Sequence, residues 1–289
     1  MDFVALSFVR HEKDLEPLRE LLGKNPKPPF LIAKVEKPQA IERFKEILDV
    51  VDGVMVARGD LGVEMPLEDV PMIQKKIIRI SRYAGKPVIT ATQMLRSMIN
   101  SPRPTRAEAT DVANAILDGT DALMLSEETA VGAYPIEAVQ ILDRIARATE
   151  AHMQEHYVAD KPVFDHLGMT ESAISRSACF LAEDLNAASI VAATSSGSTA
   201  RLVARYRSPT PVLGLTPNPQ TQRQLTLSWG VTPVLVAPFT DADEIFELAG
   251  RWTLEHGLAK PGDRLIVTAG IPVGTPGTTN LLKVIEIEQ

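Results

Sequence analysis

FLIAKVEKPQAIERFKEILDVVDGVMVARGD, residues 30–60, holds the pattern that decides the fold. It opens on an unbroken apolar run, FLIAKV at 30–35, and closes on a second one, VDGVMVA at 51–57. Between them, 38–49 alternates apolar and charged residues with a helical period. Unbroken apolar runs of strand length belong to strands covered on both faces. Strand, helix, strand is the repeating unit of a parallel sheet. Working outward, similar runs lie at 3–9, 87–92 and 121–125, and helical patterns at 12–23, 67–84, 104–118 and 135–154. Gly85 followed by Lys86-Pro87 reads as a helix stop, and Pro135 as a first helical position.

The pattern loosens after Ala151, where HMQEHYVADKPVFDHLG is polar and carries a proline. A boundary there gives two domains, 1–157 and 158–289. In the second, helices are expected at 170–185, 198–207, 218–228 and 241–256, with strands at 188–194, 211–216, 232–236, 264–269 and 281–287. The expected fold class is α/β: a partial TIM-type β/α barrel of about five βα units, then a smaller α/β sheet domain.

Polar residues of the first half gather where strands end. Lys34 and Glu36 close the second strand, and their spacing of two puts them on one side. Arg58, Gly59 and Asp60 close the third, Thr92 and Gln93 the fourth, and Ser126, Glu127, Glu128 and Thr129 the fifth. In a parallel β/α architecture these ends share one face, where such barrels keep their active sites. Glu36 and Asp60 are two hard carboxylates suited to Mg²⁺ or Mn²⁺, with substrate and water completing the shell. Lys34 adds a second positive centre, suited to an oxyanion such as an enolate or a transferring phosphoryl group. Backbone N–H groups of 57–62 suit a carboxylate or phosphate, and the Thr92 hydroxyl suits proton relay.

Bulk properties exclude several classes. The 289 residues are 45% hydrophobic and 23% charged, an ordinary globular balance. A net charge of -7 and only 5% aromatic residues argue against nucleic acid. The single cysteine, Cys179, lies in an apolar run, so no disulfide scaffold is expected and a reducing compartment fits. No charge-free apolar stretch reaches membrane-spanning length, and MDFVALSFVRHEKD has no signal-peptide pattern, so a cytoplasmic location is expected.

LIAKVEKPQAI, VMVARGDLGVEMP, GKPVITATQML, RPTRAEATDVANAILDGTDALMLSEETAVGAYP, TSSGSTARLVARYRSPTPVLGLT and GTPGTTN together resemble pyruvate kinase. The motifs are long, occur in family order and span nearly the whole chain. The resemblance implies phosphoryl transfer from phosphoenolpyruvate to ADP, giving pyruvate and ATP in glycolysis. It implies that Lys34 contacts the transferring phosphoryl group and the enolate, and that Glu36 and Asp60 hold the divalent ion. The backbone of Ala57, Arg58 and Gly59 resembles the cradle of the substrate carboxylate, and Thr92 the hydroxyl near C3 of the enolate. Ser7 and Phe8 line the same pocket, and Ser126 and Glu128 match the last barrel strand, with a proton relay as the implied role. The helix with Thr105, Arg106, Glu108, Asp111 and Asn114 matches one near the active site and a subunit contact.

The second domain resembles the family's effector-binding domain. Its loop Thr194, Ser195, Ser196, Gly197, Ser198, Thr199 joins a strand to a helix N-terminus, a ready phosphate site, although a plain cap by Ser198 would explain less of it. No Lys or Arg lies between Gly270 and Leu282, so a monophosphate effector is expected rather than a bisphosphate. The family barrel has eight strands and this chain shows five. The first three strands, the lid and, with them, the K⁺ ligands and most nucleotide contacts are expected to be missing, and the chain alone to have little or no kinase activity. A homo-oligomer, tetrameric by analogy, is implied. Two other readings stand beside this one: an Mg²⁺-dependent lyase or aldolase of the same barrel type, and a non-catalytic phosphometabolite-binding piece that complements a separate chain.

Overall fold

The computed structural model describes residues 1–155, 169–273 and 278–288. It divides into two compact units, one holding the first five strands and the other the last five. The expected boundary at 157/158 and part of the GTPGTTN segment lie outside the described residues.

The first unit begins with β1 (Phe3–Leu6), a 3-10 turn at Glu12–Leu15, α1 (Glu16–Gly23) and β2 (Phe30–Val35). Next come α2 (Pro38–Glu42), α3 (Phe44–Asp49), β3 (Gly53–Ala57), α4 (Arg58–Glu64) and α5 (Val70–Tyr83). It continues with β4 (Val88–Ala91), α6 (Arg106–Leu117), β5 (Ala122–Met124), α7 (Glu127–Ala130) and α8 (Pro135–Glu155). The strands pair in the order β1-β2-β3-β4-β5, all parallel. Sequential parallel strands with helical crossovers are the partial β/α barrel expected from the sequence. Every residue of β3 and β4 is buried, so a continuous apolar run was the right signature.

The second unit runs α9 (Met169–Asp184), β6 (Ser189–Ala193), α10 (Ser198–Ala204), β7 (Val212–Thr216), α11 (Pro219–Leu225), β8 (Val231–Leu235), α12 (Ala242–Glu255), β9 (Arg264–Gly270) and β10 (Thr279–Glu286). Its sheet order is β10-β9-β6-β7-β8, with only β10 antiparallel. Side chains of β6 alternate between two cores. Ile190 and Ala192 pack with Ala178, Val203 and Ile266, whereas Val191 and Ala193 pack with Leu213, Val267 and Ile245. Both faces are therefore covered by apolar layers, as period-two alternation requires.

Three local expectations are corrected. The helix expected over 38–49 is broken at Arg43, whose φ of -102° and ψ of 26° leave the helical region. Its side chain reaches Glu12 at 2.8 and 3.0 Å, across to the turn before α1. The strands expected over 3–9 and 87–92 end at Leu6 and Ala91, because Phe8 and Thr92 adopt φ of 59° and 70°. Finally, RGDLGVE forms α4 rather than a plain strand end. Two glycines weaken such a helix by about 1 kcal/mol each, so its fully buried Leu61 and the Arg58 contacts described below must hold it. No helix among the described residues is long and apolar enough to cross a membrane.

Candidate active site

Three clusters stand at the C-terminal ends of the first unit's strands. The first lies between β1 and β2. Lys34 Nζ donates to Ser7 Oγ at 2.9 Å and sits 2.6 Å from Glu36 Oε1. Glu36 has no exposed surface, and its Oε2 accepts the Phe8 N–H at 2.7 Å. Phe8 has a left-handed backbone, its N–H bonds Glu36, and the residue is 55% exposed. A buried carboxylate without partners costs several kcal/mol, and here one ammonium and one amide offset that cost.

The second cluster joins β3 to β4. Registry sets Ala57 beside Ala91 at the two strand ends. Just beyond, Gly59 N–H donates to Thr92 Oγ1 at 2.7 Å, and that hydroxyl donates to Ala91 O at 2.6 Å. The Gly59 amide is thus already engaged within the carboxylate cradle expected at Ala57, Arg58 and Gly59. Arg58 turns its guanidinium away from solvent, toward Asp111, Gln74, Thr92 O and Met94 Sδ. Only its backbone is left to meet a substrate. Asp60 is exposed in the first turn of α4.

The third cluster lies past β5. Glu128 is 1% exposed, and its two oxygens accept the N–H groups of Leu95 at 3.0 Å and Ser126 at 2.8 Å. It clasps the loop after β4 to the turn that carries Ser126. Glu108 fastens the same loop from α6, accepting from Ser97 N at 2.7 Å and Thr105 N at 2.8 Å. Burial pushes the Glu108 carboxyl upward, but the donors from Ser97 and Thr105 outweigh it and hold it below its ordinary value.

The donor set fits a hard divalent ion in part. Glu36 Oε1 is buried and lies 2.6 Å from the Lys34 ammonium, so a divalent cation there would share that oxygen with Lys34. Among the described residues no group of three His, Cys, Asp or Glu side chains forms a metal site. Two carboxylates with substrate oxygens and water remain the composition that suits Mg²⁺ or Mn²⁺.

In the second unit, the loop 194–199 is shaped by one glycine. Gly197 has φ of 83°, and a Cβ there would meet Arg201 Nη1 at 2.6 Å. Gly197 occupies the N-cap position of α10 without a side-chain cap, and Ser198, the plain-cap alternative, is its first helical residue. Thr194 Oγ1 accepts the Gly197 N–H at 2.9 Å, and Thr199 Oγ1 pairs with Thr279 Oγ1 at 2.8 Å, both buried. Ser195, Ser196 and Ser198 stay partly exposed. Cys179 lies elsewhere in this unit, buried, with its thiol pushed up to about 12, and is no nucleophile.

Sequence reasoning missed two participants. Gln74 falls on the buried face of α5 with Val70, Ile77, Ile78 and Ser81, and a polar residue in that register was a readable signal. Arg201 lies four residues after Gly197, one helical turn from the loop.

Parallel strands, helical crossovers and polar groups confined to the strands' C-terminal ends define a β/α-barrel protein with a second α/β unit. The family model "Pyruvate kinase, barrel domain" matches residues 1–139, and "Pyruvate kinase, alpha/beta domain" matches residues 172–285. The chain belongs to the pyruvate kinase family. It is 47% identical over 285 residues to "Pyruvate kinase" of Sporosarcina psychrophila, covering 98% of this chain and 49% of that protein. It is 49% identical over 284 residues to "Pyruvate kinase 2" of Synechocystis sp., covering 98% and 47%. To "Pyruvate kinase" of Clostridium acetobutylicum it is 45% identical over 290 residues, covering 100% and 61%. The chain therefore spans about half the length of the first two relatives.

Proposed function

We propose that the strand-end clusters form the phosphoenolpyruvate side of a phosphotransfer site that converts phosphoenolpyruvate and ADP to pyruvate and ATP. The observation that carries this is the buried Glu36 locked to Lys34 and Phe8 at 2.6 and 2.7 Å, on a rigid parallel sheet. Glu36 and Asp60 would hold Mg²⁺ or Mn²⁺, which when bound neutralises charge on the phosphoryl and enolate oxygens. In the reaction the bridging P–O bond of phosphoenolpyruvate breaks, a terminal ADP oxygen bonds to phosphorus, and the enolate left behind takes a proton at C3. Lys34 places an ammonium where negative charge develops on that enolate. The Thr92 hydroxyl, held by Gly59 N–H and donating to Ala91 O, lies beside the backbone of Ala57, Arg58 and Gly59; with substrate bound it would turn from Ala91 O to orient the proton at C3. Ser7 holds the Lys34 ammonium in place, and Glu128 sets the turn of Ser126, the candidate relay. K⁺, ADP contacts and assembly into oligomers come with the family, and none is assigned to a residue of this chain.

Pyruvate in D₂O gives a test that needs no nucleotide. With Mg²⁺ and inorganic phosphate the chain is expected to deuterate the pyruvate methyl group, and Lys34→Met to abolish this. Absence of Mg²⁺-dependent deuteration in the parent chain would remove the proposal, and cleavage of a 2-keto acid would favour the lyase reading instead. ATP formation from phosphoenolpyruvate and ADP, measured in parallel, reports the complete transfer.

In the second unit, the partly exposed hydroxyls of Ser195, Ser196 and Ser198, with Arg201 one turn on, support binding of a phosphorylated effector at Thr194–Thr199. A sugar monophosphate is expected to raise the thermal midpoint, with inorganic phosphate as the control.

A further inference from the structure

We infer that Arg58 is a positioning residue, which fixes Thr92 and the first turn of α4 through a buried fork rather than touching substrate. The inference rests on the phosphotransfer reading for its purpose and on the geometry for its existence. The Arg58 side chain is 11% exposed. One arm, Nη1, donates to Asp111 Oδ1 at 2.7 Å and to Gln74 Oε1 at 3.3 Å. The other arm, Nη2, donates to Thr92 O at 2.9 Å and reaches Met94 Sδ at 2.8 Å. A single planar group therefore ties α4 to α5, α6 and the chain leaving β4.

Thr92 needs such a tie. Its φ of 70°, followed by 56° at Gln93, puts two consecutive non-glycine residues in the left-handed region. Such residues are strained and persist only where their surroundings hold them. A second bond runs alongside the first, from Gly59 N–H to Thr92 Oγ1. Residues 58 and 59 thus grip both the carbonyl and the hydroxyl of Thr92. The carbonyl grip fixes the backbone, and the hydroxyl then has one direction. Behind Arg58 the network continues: Gln74 Nε2 donates to Asp118 Oδ2 at 3.0 Å, and Lys75 bonds Asp118 and Asn114. Arg58 is thereby braced against two helices, as a fork that must not swing requires.

Arg58→Lys keeps a charge for Asp111 but has no second arm for Thr92 O. Hydrogen bonds to charged groups contribute about 1.5–3 kcal/mol, so amide exchange at Gly59 should speed more than about 10-fold. Exchange at Val54 and Val56 in β3 should stay unchanged, as should global stability in urea beyond that local loss. Arg58→Met is a harsher version, and Arg58→Lys alone carries the test if the methionine variant does not fold. A second readout separates positioning from mere bracing. Mn²⁺ uptake by the chain, followed by water-proton relaxation, should weaken in Arg58→Lys because Asp60 rides on the same first turn of α4, and binding of oxalate, a planar dianion the size of enolpyruvate, to the Mn²⁺-loaded chain should weaken with it, both by about 10-fold. Unchanged exchange at Gly59, or equal acceleration throughout β2–β4, would overturn the inference. If the parent chain takes up neither Mn²⁺ nor oxalate, the phosphotransfer reading fails, and the exchange pattern at Gly59 still judges the fork.

Discussion

The strand-end clusters of the first unit and the 194–199 loop of the second are both polar, yet they are built differently. At the strand ends, partners come from distant segments: Lys34 to Ser7, Glu36 to Phe8, Arg58 to Asp111. Both signs of charge are present and Glu36 is wholly buried. In the loop, local ties from Gly197 to Thr194 and Ser196 to Ser198 stand beside hydroxyl bonds to Thr279 and Thr221, and no carboxylate belongs to it. Preorganised charges of both signs suit a metal and a reacting anion, whereas hydroxyls and amides around one glycine suit an anion that is only held.

The sharpest way to break this contrast is Glu36→Gln. Even supporting groups around a metal contribute 10–100-fold in affinity, so loss of this proposed direct ligand should weaken Mn²⁺ uptake by more than about 100-fold, read by water-proton relaxation. Unaltered uptake would place the ion elsewhere. Next in size is Ile190→Ala, which empties a fully buried position between β6 and its helices. A loss of about 2–5 kcal/mol in urea unfolding is expected, with Mn²⁺ uptake untouched. Gly197→Ala should come below that, at about 1–3 kcal/mol, from a left-handed backbone and a contact with Arg201. It should also weaken sugar-phosphate binding, and a neutral result would show the loop to be more pliable than its geometry implies. The smallest effect belongs to Glu108. Its folded carboxyl titrates below the unfolded one, so its contribution is present above the unfolded pKa and lost as pH falls through the folded value. Glu108→Gln should remove about 1 kcal/mol near neutral pH, the size of a helix cap, and flatten the acid limb of the stability curve.

Much of this was legible because apolar runs and helical periods are direct records of burial. FLIAKV became β2 without change of limits, and Glu36 and Lys34 do meet on one side. Strand ends were misjudged where backbone sign changes, at Phe8 and Thr92, since an apolar run says nothing about φ. Residue types at the site were readable, but side-chain direction was not. Arg58 entered the sequence reading only through its backbone, and its side chain points toward Asp111 and Thr92. Glu128 was expected with Ser126 in a proton relay, and its carboxylate receives two backbone amides. Only the helix register of Gln74 hinted at the buried network that Arg58 joins.

The most direct measurement is a crystal of the chain soaked with Mn²⁺ and oxalate, read by anomalous scattering. The expected result is one peak at about 2.2 Å from carboxylate oxygens of both Glu36 and Asp60, close to the distance hard divalent ions prefer. A peak that touches only one of them, or neither, would contradict a shared ion at the strand ends.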